Sequence, residues 1–229
     1  PAQDQARVPV LVELFTSEGC SDCPPADRIL EELDTKQFVP GAQAIVLSEH
    51  VTYWNHEGWQ DPFSLDEIDV RQKEYGNRFN LDSVYTPQAV IDGSAQLVGN
   101  NATGVANAVE QAASSPKKPL TIGDAHWDNG AVTFTLHGAP DSELRLIAVL
   151  AADATGHQVM RGENAGRTLH HVAVVRSIKE LAANAADGRV LRLSAGSLAR
   201  DAVPVRIIAF LINKKTGHVI AVAEQTLNR

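Results

Sequence analysis

Apolar residues fall along the chain in runs whose spacing changes character near its middle. Val8 to Phe15 is an almost unbroken apolar run that reads as a strand, and it leads through Thr16-Ser17-Glu18-Gly19 to a pair of cysteines. After Pro24-Pro25, Ile29, Leu30 and Leu33 recur at helical spacing. Gln43 to Glu49, with Ile45, Val46 and Leu47, predicts a second strand. Ser64-Leu65-Asp66-Glu67 has the pattern of a capping box opening a helix to about Phe79. Gln88 to Ile91 and Ala95 to Val98 flank Asp92-Gly93, a tight hairpin signal, and Asn101 to Ala113 reads as a closing helix. Ser114-Ser115-Pro116-Lys117-Lys118-Pro119 then breaks the pattern as a linker. Beyond it come short strands separated by turns: Ala131 to Leu136, Glu143 to Ala151, Val172 to Arg176, Arg189 to Ser194, Val203 to Asn213 and His218 to Glu224.

The first set of elements alternates strand and helix in the order expected of an α/β thioredoxin-like domain, with an insertion at about 51–63. The second set, spaced as short strands, predicts an all-β sandwich-like domain. The expected division is therefore 1–115 for a redox domain and 119–229 for a β-sandwich-like domain. A chain of 229 residues supports one large domain or two small ones. Its net charge of −8 argues against nucleic acid and anionic membrane surfaces as partners, and no apolar run approaches the ~20 residues of a membrane span. The polar start, Pro1-Ala2-Gln3-Asp4-Gln5, reads as a mature terminus after signal-peptide removal, which predicts a periplasmic or secreted protein; a trimmed chain would look the same.

Chemistry concentrates at Cys20-Ser21-Asp22-Cys23, the only two cysteines present. Strand, short turn, Cys-x-x-Cys and helix is the order of a thioredoxin-like redox site. Residues three apart on a first helical turn share a face, close enough for a disulfide, and the helix start favours a thiolate on Cys20. Cys20 is the expected exposed nucleophile and Cys23 the resolving thiol. An inert structural disulfide is the alternative. Zinc is disfavoured, since a structural site normally takes four ligands and no second cysteine pair exists. Glu18 and Asp22 would oppose a thiolate by like charge, which predicts a reductant or mild exchanger rather than a strong oxidant.

Longer stretches match a family. Val12-Glu13-Leu14-Phe15-Thr16-Ser17-Glu18-Gly19 continuing into the cysteine motif and Pro24-Pro25-Ala26-Asp27, His50-Val51-Thr52-Tyr53-Trp54-Asn55, Gly58-Trp59-Gln60-Asp61-Pro62-Phe63, Val84-Tyr85-Thr86-Pro87-Gln88 and Arg161 to Leu169 together resemble the bacterial family of domain of unknown function 1223. The resemblance implies a thioredoxin-like, usually exported protein of redox class, and implies no substrate. On the thioredoxin analogy, Glu13 looks like a buried acid that moves a proton for the resolving cysteine; a strand-end carboxylate with a surface partner is the alternative. Thr86-Pro87 resembles the element in which a cis-proline packs on the disulfide, where the Thr86 backbone would pair with an extended substrate.

His50, Tyr53, Trp54, His56 and Trp59 crowd the insertion. Trp54 and Trp59 read as a lid core, while His50 is open between a substrate wall and structure. The glycine-rich segment 161–167 reads first as an inter-strand loop satisfied by its own charges, with a docking loop as the alternative. His170-His171 points to opposite faces if extended. The expected activity is thiol–disulfide exchange through Cys20 and Cys23 with a protein or small-molecule thiol or disulfide. Glu13 is assigned to catalysis, Thr86, Pro87 and His50 to substrate binding, and no metal or organic cofactor is implied. A Cu(I) or thiol-ligand binding module using the same cysteines is the alternative.

Overall fold

The computed structural model describes residues 7–138, 141–183, 187–200 and 203–228. Strand β1 (Val8–Thr16) runs into helix α1 (Pro24–Lys36), and β2 (Ala42–His50) pairs with β1 in parallel. A single 3-10 turn (Tyr53–His56) and helix α2 (Asp66–Arg78) fill the next connection. The antiparallel hairpin β3 (Gln88–Ile91) and β4 (Ala95–Val98) follows, then α3 (Ala102–Ala113). Strands dominate the rest: β5 (Thr121–Asp128), β6 (Ala131–His137), β7 (Leu144–Gln158), β8 (Thr168–Ala182), β9 (Val190–Ser194), β10 (Val205–Asn213) and β11 (Val219–Leu227), with a second 3-10 turn at Gly196–Ala199.

The expected α/β thioredoxin-like domain followed by a separate sandwich is not what forms. Eight strands make one mixed sheet in the order β11-β10-β7-β8-β2-β1-β3-β4, so strands from before and after residue 115 share it. The seam is a parallel bridge between Ser48 on β2 and Val174 on β8. Only β5, β6 and β9 form a second sheet.

The reason lies in the long strands. On β7, Ile147, Val149 and Ala151 join the same core as Leu11, Phe15, Leu47 and Ile91, whereas Leu146, Ala148 and Leu150 join Val132, Phe134 and Leu193 of the small sheet. Strand β10 divides likewise, Ile208, Phe210 and Ile212 to one side, Ile207, Ala209 and Leu211 to the other. Side chains alternate across a strand, so a strand apolar at every position needs cover on both faces. The first half supplies one cover and the small sheet the other. Lys117 and Lys118 in the 114–119 segment are tied into this assembly by a Lys117 Nζ–Asp92 Oδ2 ion pair of 2.7 Å and a Lys118 N–H donated to the Ile220 carbonyl at 2.8 Å.

Two helix starts show local sequence at work. Asn101 caps α3 by accepting the Gly104 N–H at 3.0 Å. The capping box expected at Ser64 does not form: Leu65 is the N-cap of α2, and the Ser64 hydroxyl instead donates to the Asp61 carbonyl and accepts from Asn55. That bond secures the 51–63 segment rather than the helix.

Candidate functional site

Cys20 and Cys23 form a disulfide with Cα atoms 5.4 Å apart. Cys23 is the N-cap of α1, Pro24 and Pro25 occupy positions whose N–H groups have no helical partner, and the Cys23 carbonyl accepts from Ala26 and Asp27. Ser21 and Asp22 are exposed. The sulfur-bearing residues are not: Cys20 is 1 % exposed and Cys23 0 %. The exposed nucleophile expected of Cys20 is therefore covered in this disulfide form.

The cover comes from two connections. Asn164, in the link between β7 and β8, is fully buried, and its Nδ2 donates to the Glu18 carbonyl at 2.8 Å and the Cys20 carbonyl at 2.9 Å. Arg167 Nη1 holds the Asn164 amide oxygen at 2.9 Å, and the Glu163 carboxylate accepts the Ser21 N–H at 3.0 Å. The loop closes on itself through Val159 and Arg167. Gly162, at φ +76°, lies where a Cβ would be 3.1 Å from the Trp59 Cβ, so the 51–63 segment and this loop meet beside the motif. Segment 161–167, read first as a self-satisfied loop, is in fact docked on the backbone of the cysteine motif through Glu163 and Asn164.

Behind the disulfide lies a buried polar cluster. Asp27, one turn past Cys23 on the same helix face, is buried and accepts the Thr16 hydroxyl at 2.9 Å. Burial pushes its carboxyl up from its ordinary value, against the pull of His171, His50 and the Thr16 hydrogen bond. Glu18 is also buried; Trp59 Nε1 donates to it at 2.9 Å and His157 Nδ1 lies 2.7 Å from its Oε1. Burial works to raise the Glu18 carboxyl, but His171, Trp59 and His157 outweigh it and the net shift is downward. Its charge is thus engaged by donors, not bare beside the thiols as the sequence suggested.

His171, fully buried on β8, has Nε2 3.4 Å from Glu18 Oε1 and Nδ1 3.7 Å from Asp27 Oδ2, both beyond good hydrogen-bond contact. His50 lies edge-on to it, ring centroids 4.7 Å apart. Asp61 completes the set, 2.7 Å from His50 Nδ1, accepting N–H groups of Glu18 at 2.8 Å and Phe63 at 2.9 Å. Burial raises the Asp61 carboxyl, yet His50 and these hydrogen bonds bring it down to about 2. Burial lowers His50, but Asp61, then Asp27 and Glu18, raise it above its ordinary value.

The remaining sequence candidates divide. Glu13 is fully buried, but its carboxylate binds Arg71 Nε and Tyr75 Oη, each at 2.5 Å, on α2. Glu49 shares that cluster; its oxygens find no hydrogen-bond donor among the described residues, and burial with the adjacent Glu13 charge pushes its carboxyl well up. Arg71 also lies 5.1 Å over the Phe210 ring, so this cluster joins α2 to β1 and β10. Thr86 accepts Trp54 Nε1 at 2.7 Å, and Trp54 packs beside Gly19, which brings the Thr86-Pro87 segment to the motif. The Thr86-Pro87 peptide is cis. Pro87 and Ala26 both border Gly99. His50 is buried with Nδ1 on Asp61 and Nε2 3.1 Å from the Ser48 hydroxyl, which leaves neither nitrogen for a ligand. Among the described residues, no group of three or more His, Cys, Asp or Glu side chains is arranged to hold a metal ion.

Sequence reading missed Asp27 as the acid nearest the cysteines along α1, and it missed His157 and His171. Asp27 was legible as the i+4 partner of Cys23; the two histidines lie more than 130 residues away, and His171 stood out only as one of the His170-His171 pair.

A profile of the family described as "Protein of unknown function (DUF1223)" matches residues 11–208. No curated protein matches the chain. A crystal structure of a protein from Agrobacterium tumefaciens is similar in fold, with a TM-score of 0.68 at 22% identity, covering 98% of this chain and 96% of that one. The family match and the disulfide are compatible with a redox role.

Proposed function

The chain belongs to the DUF1223 family of proteins of unknown function, and from that starting point we propose that it is a thiol–disulfide oxidoreductase working through Cys20 and Cys23. The observation that carries the reading is the disulfide itself. It closes across the start of α1, in a chain with no third cysteine, with a buried carboxyl one turn further on. A structural disulfide between residues three apart closes so short a loop that it restrains little of the unfolded chain. A helix start with a buried acid behind it suits a pair that opens and closes.

In the reductive half, an incoming thiolate attacks Cys20 Sγ, the Cys20–Cys23 bond breaks, and Cys23 leaves as a thiolate that takes a proton. A second thiol equivalent attacks the mixed disulfide, releases oxidised reagent and leaves Cys20 reduced. The reverse sequence, with Cys20 attacking a substrate disulfide and Cys23 resolving, uses the same atoms. Cys20 is the attacking residue because it precedes the helix beside the exposed Ser21-Asp22 turn, whereas Cys23 sits at the helix cap. A glutathione redox titration should give a reversible two-electron transition that is lost in Cys20→Ser and Cys23→Ser, and Cys23→Ser should accumulate a mixed disulfide. A pair that stays oxidised across the accessible glutathione range would make the disulfide structural instead.

A further inference from the structure

We propose that Glu18, His171 and His157 form a proton path that links the buried carboxyl of Asp27, behind Cys23, to solvent. This inference rests on the exchange reaction proposed above and names the residues that complete its proton balance. Opening the disulfide leaves a thiolate on Cys23, which has no access to water while fully buried. Asp27 lies at i+4 from Cys23, and helical side chains lean toward the N-terminus, which carries its carboxyl over the turn that bears the sulfur.

A buried carboxyl that gives up its proton must be supplied with another. Among the described groups around it, the Thr16 hydroxyl is a fixed donor, whereas His171 Nδ1 stands 3.7 Å from Oδ2 as a second approach. The opposite nitrogen, Nε2, faces Glu18 Oε1 at 3.4 Å, and the same oxygen meets His157 Nδ1 at 2.7 Å. Imidazole takes a proton at one nitrogen while releasing one from the other, so a ring set between two carboxyls is a two-way carrier. Both gaps at His171 close to hydrogen-bond length with movements of roughly half an ångström to an ångström. His157 ends the series with a side chain 34% exposed.

Among the described residues, no other arrangement in the cluster reaches the surface in this way. His50 and Asp61 face His171 and Glu18 but are both fully buried and bonded to one another, His50 also to the Ser48 hydroxyl and Asp61 to backbone. Trp59, Phe63 and Asn164 surround the same groups and carry no ionisable proton near neutral pH. Arg167 and Glu163 are bound to Asn164 and Ser21. The step balances: bulk acid protonates His157, protons shift through Glu18 and His171 to Asp27, and Asp27 delivers one to Cys23; oxidation runs the series outward.

The test is single-turnover reduction of the disulfide by dithiothreitol across pH 5–9, in wild type and with His157→Gln, His171→Gln and Asp27→Asn. Each variant is also made with Asn164→Ala, so that loop opening does not mask the chemical step. Asp27→Asn should slow thiol release on the order of a hundredfold, and His157→Gln roughly tenfold with the pH profile flattened. Because His157 is partly exposed, free imidazole should restore the His157→Gln rate and leave Asp27→Asn unchanged. Wild-type kinetics in His157→Gln, or a slow His157→Gln that imidazole does not rescue, would overturn the path. His157→Gln decides the matter even if His171→Gln does not fold. If the wild-type disulfide cannot be reduced and reoxidised at any pH, the exchange reading itself fails, a distinct outcome.

Discussion

Asp61 and His50 show what burial asks of individual charges. Neither side chain touches water, and each favours the charged form of the other, Asp61 accepting two backbone N–H groups besides. His50 has a raised value in the fold, so its contribution to stability is complete below pH 6.5 and fades as pH climbs through the raised value. Asp61, brought to about 2, contributes above its ordinary 3.8 and loses that contribution as pH falls toward 2. His50→Gln should therefore cost roughly 1.5–3 kcal/mol near pH 6, and the gap from wild type should narrow with rising pH. Chemical denaturation of both proteins at pH 6 and pH 9 measures it; a constant gap would mean the imidazole is neutral throughout. Cys20, Cys23 and Asp27 were readable as a set, because a helix fixes neighbours at three and four residues. Glu13 was readable as a buried acid, but Arg71 and Tyr75 claim its carboxylate. No local rule assigns a carboxylate its partner from a helix nearly 60 residues away.

At the scale of elements, the connection between β7 and β8 matters most to the chemistry. Its Asn164 spans two carbonyls of the motif loop, and Glu163 takes a third backbone group. Asn164→Ala removes its two hydrogen bonds to the motif loop, worth about 1 kcal/mol each, along with the one it accepts from Arg167, so the cysteines should be reached by dithiothreitol roughly thirtyfold faster. Stopped-flow reduction rates would show it; an unchanged rate would mean that access runs by another route. Most of the regular elements were legible. The hairpin at Asp92-Gly93 and the helix after Asn101 match their signals because turn and cap chemistry are local. Strands β7 and β8 were read as short, yet each spans 15 residues with register shifts in their pairing. Bulges break the two-residue alternation on which strand length was judged.

Over the whole molecule, the core residues of β1 and β2 share one cluster with those of β7 and β10. A fragment ending at residue 115 would expose the faces that Ile147, Val149, Ile208 and Phe210 now cover. It should lack cooperative thermal unfolding, as read by circular dichroism and amide exchange; a sharp transition in that fragment would show that the first half stands alone. The chain's sequence determined by itself the cysteine pair at a helix start, the order of most elements and the acid one turn on, since all three depend on neighbours within a few residues. The tertiary structure alone decided that one sheet joins both halves, that segment 161–167 covers the cysteines, and that His157 and His171 stand by Glu18. The physical reason is that apolar strands with two faces accept any apolar cover. Which surface supplies it, and which polar groups are buried together beneath it, is settled only when distant segments pack.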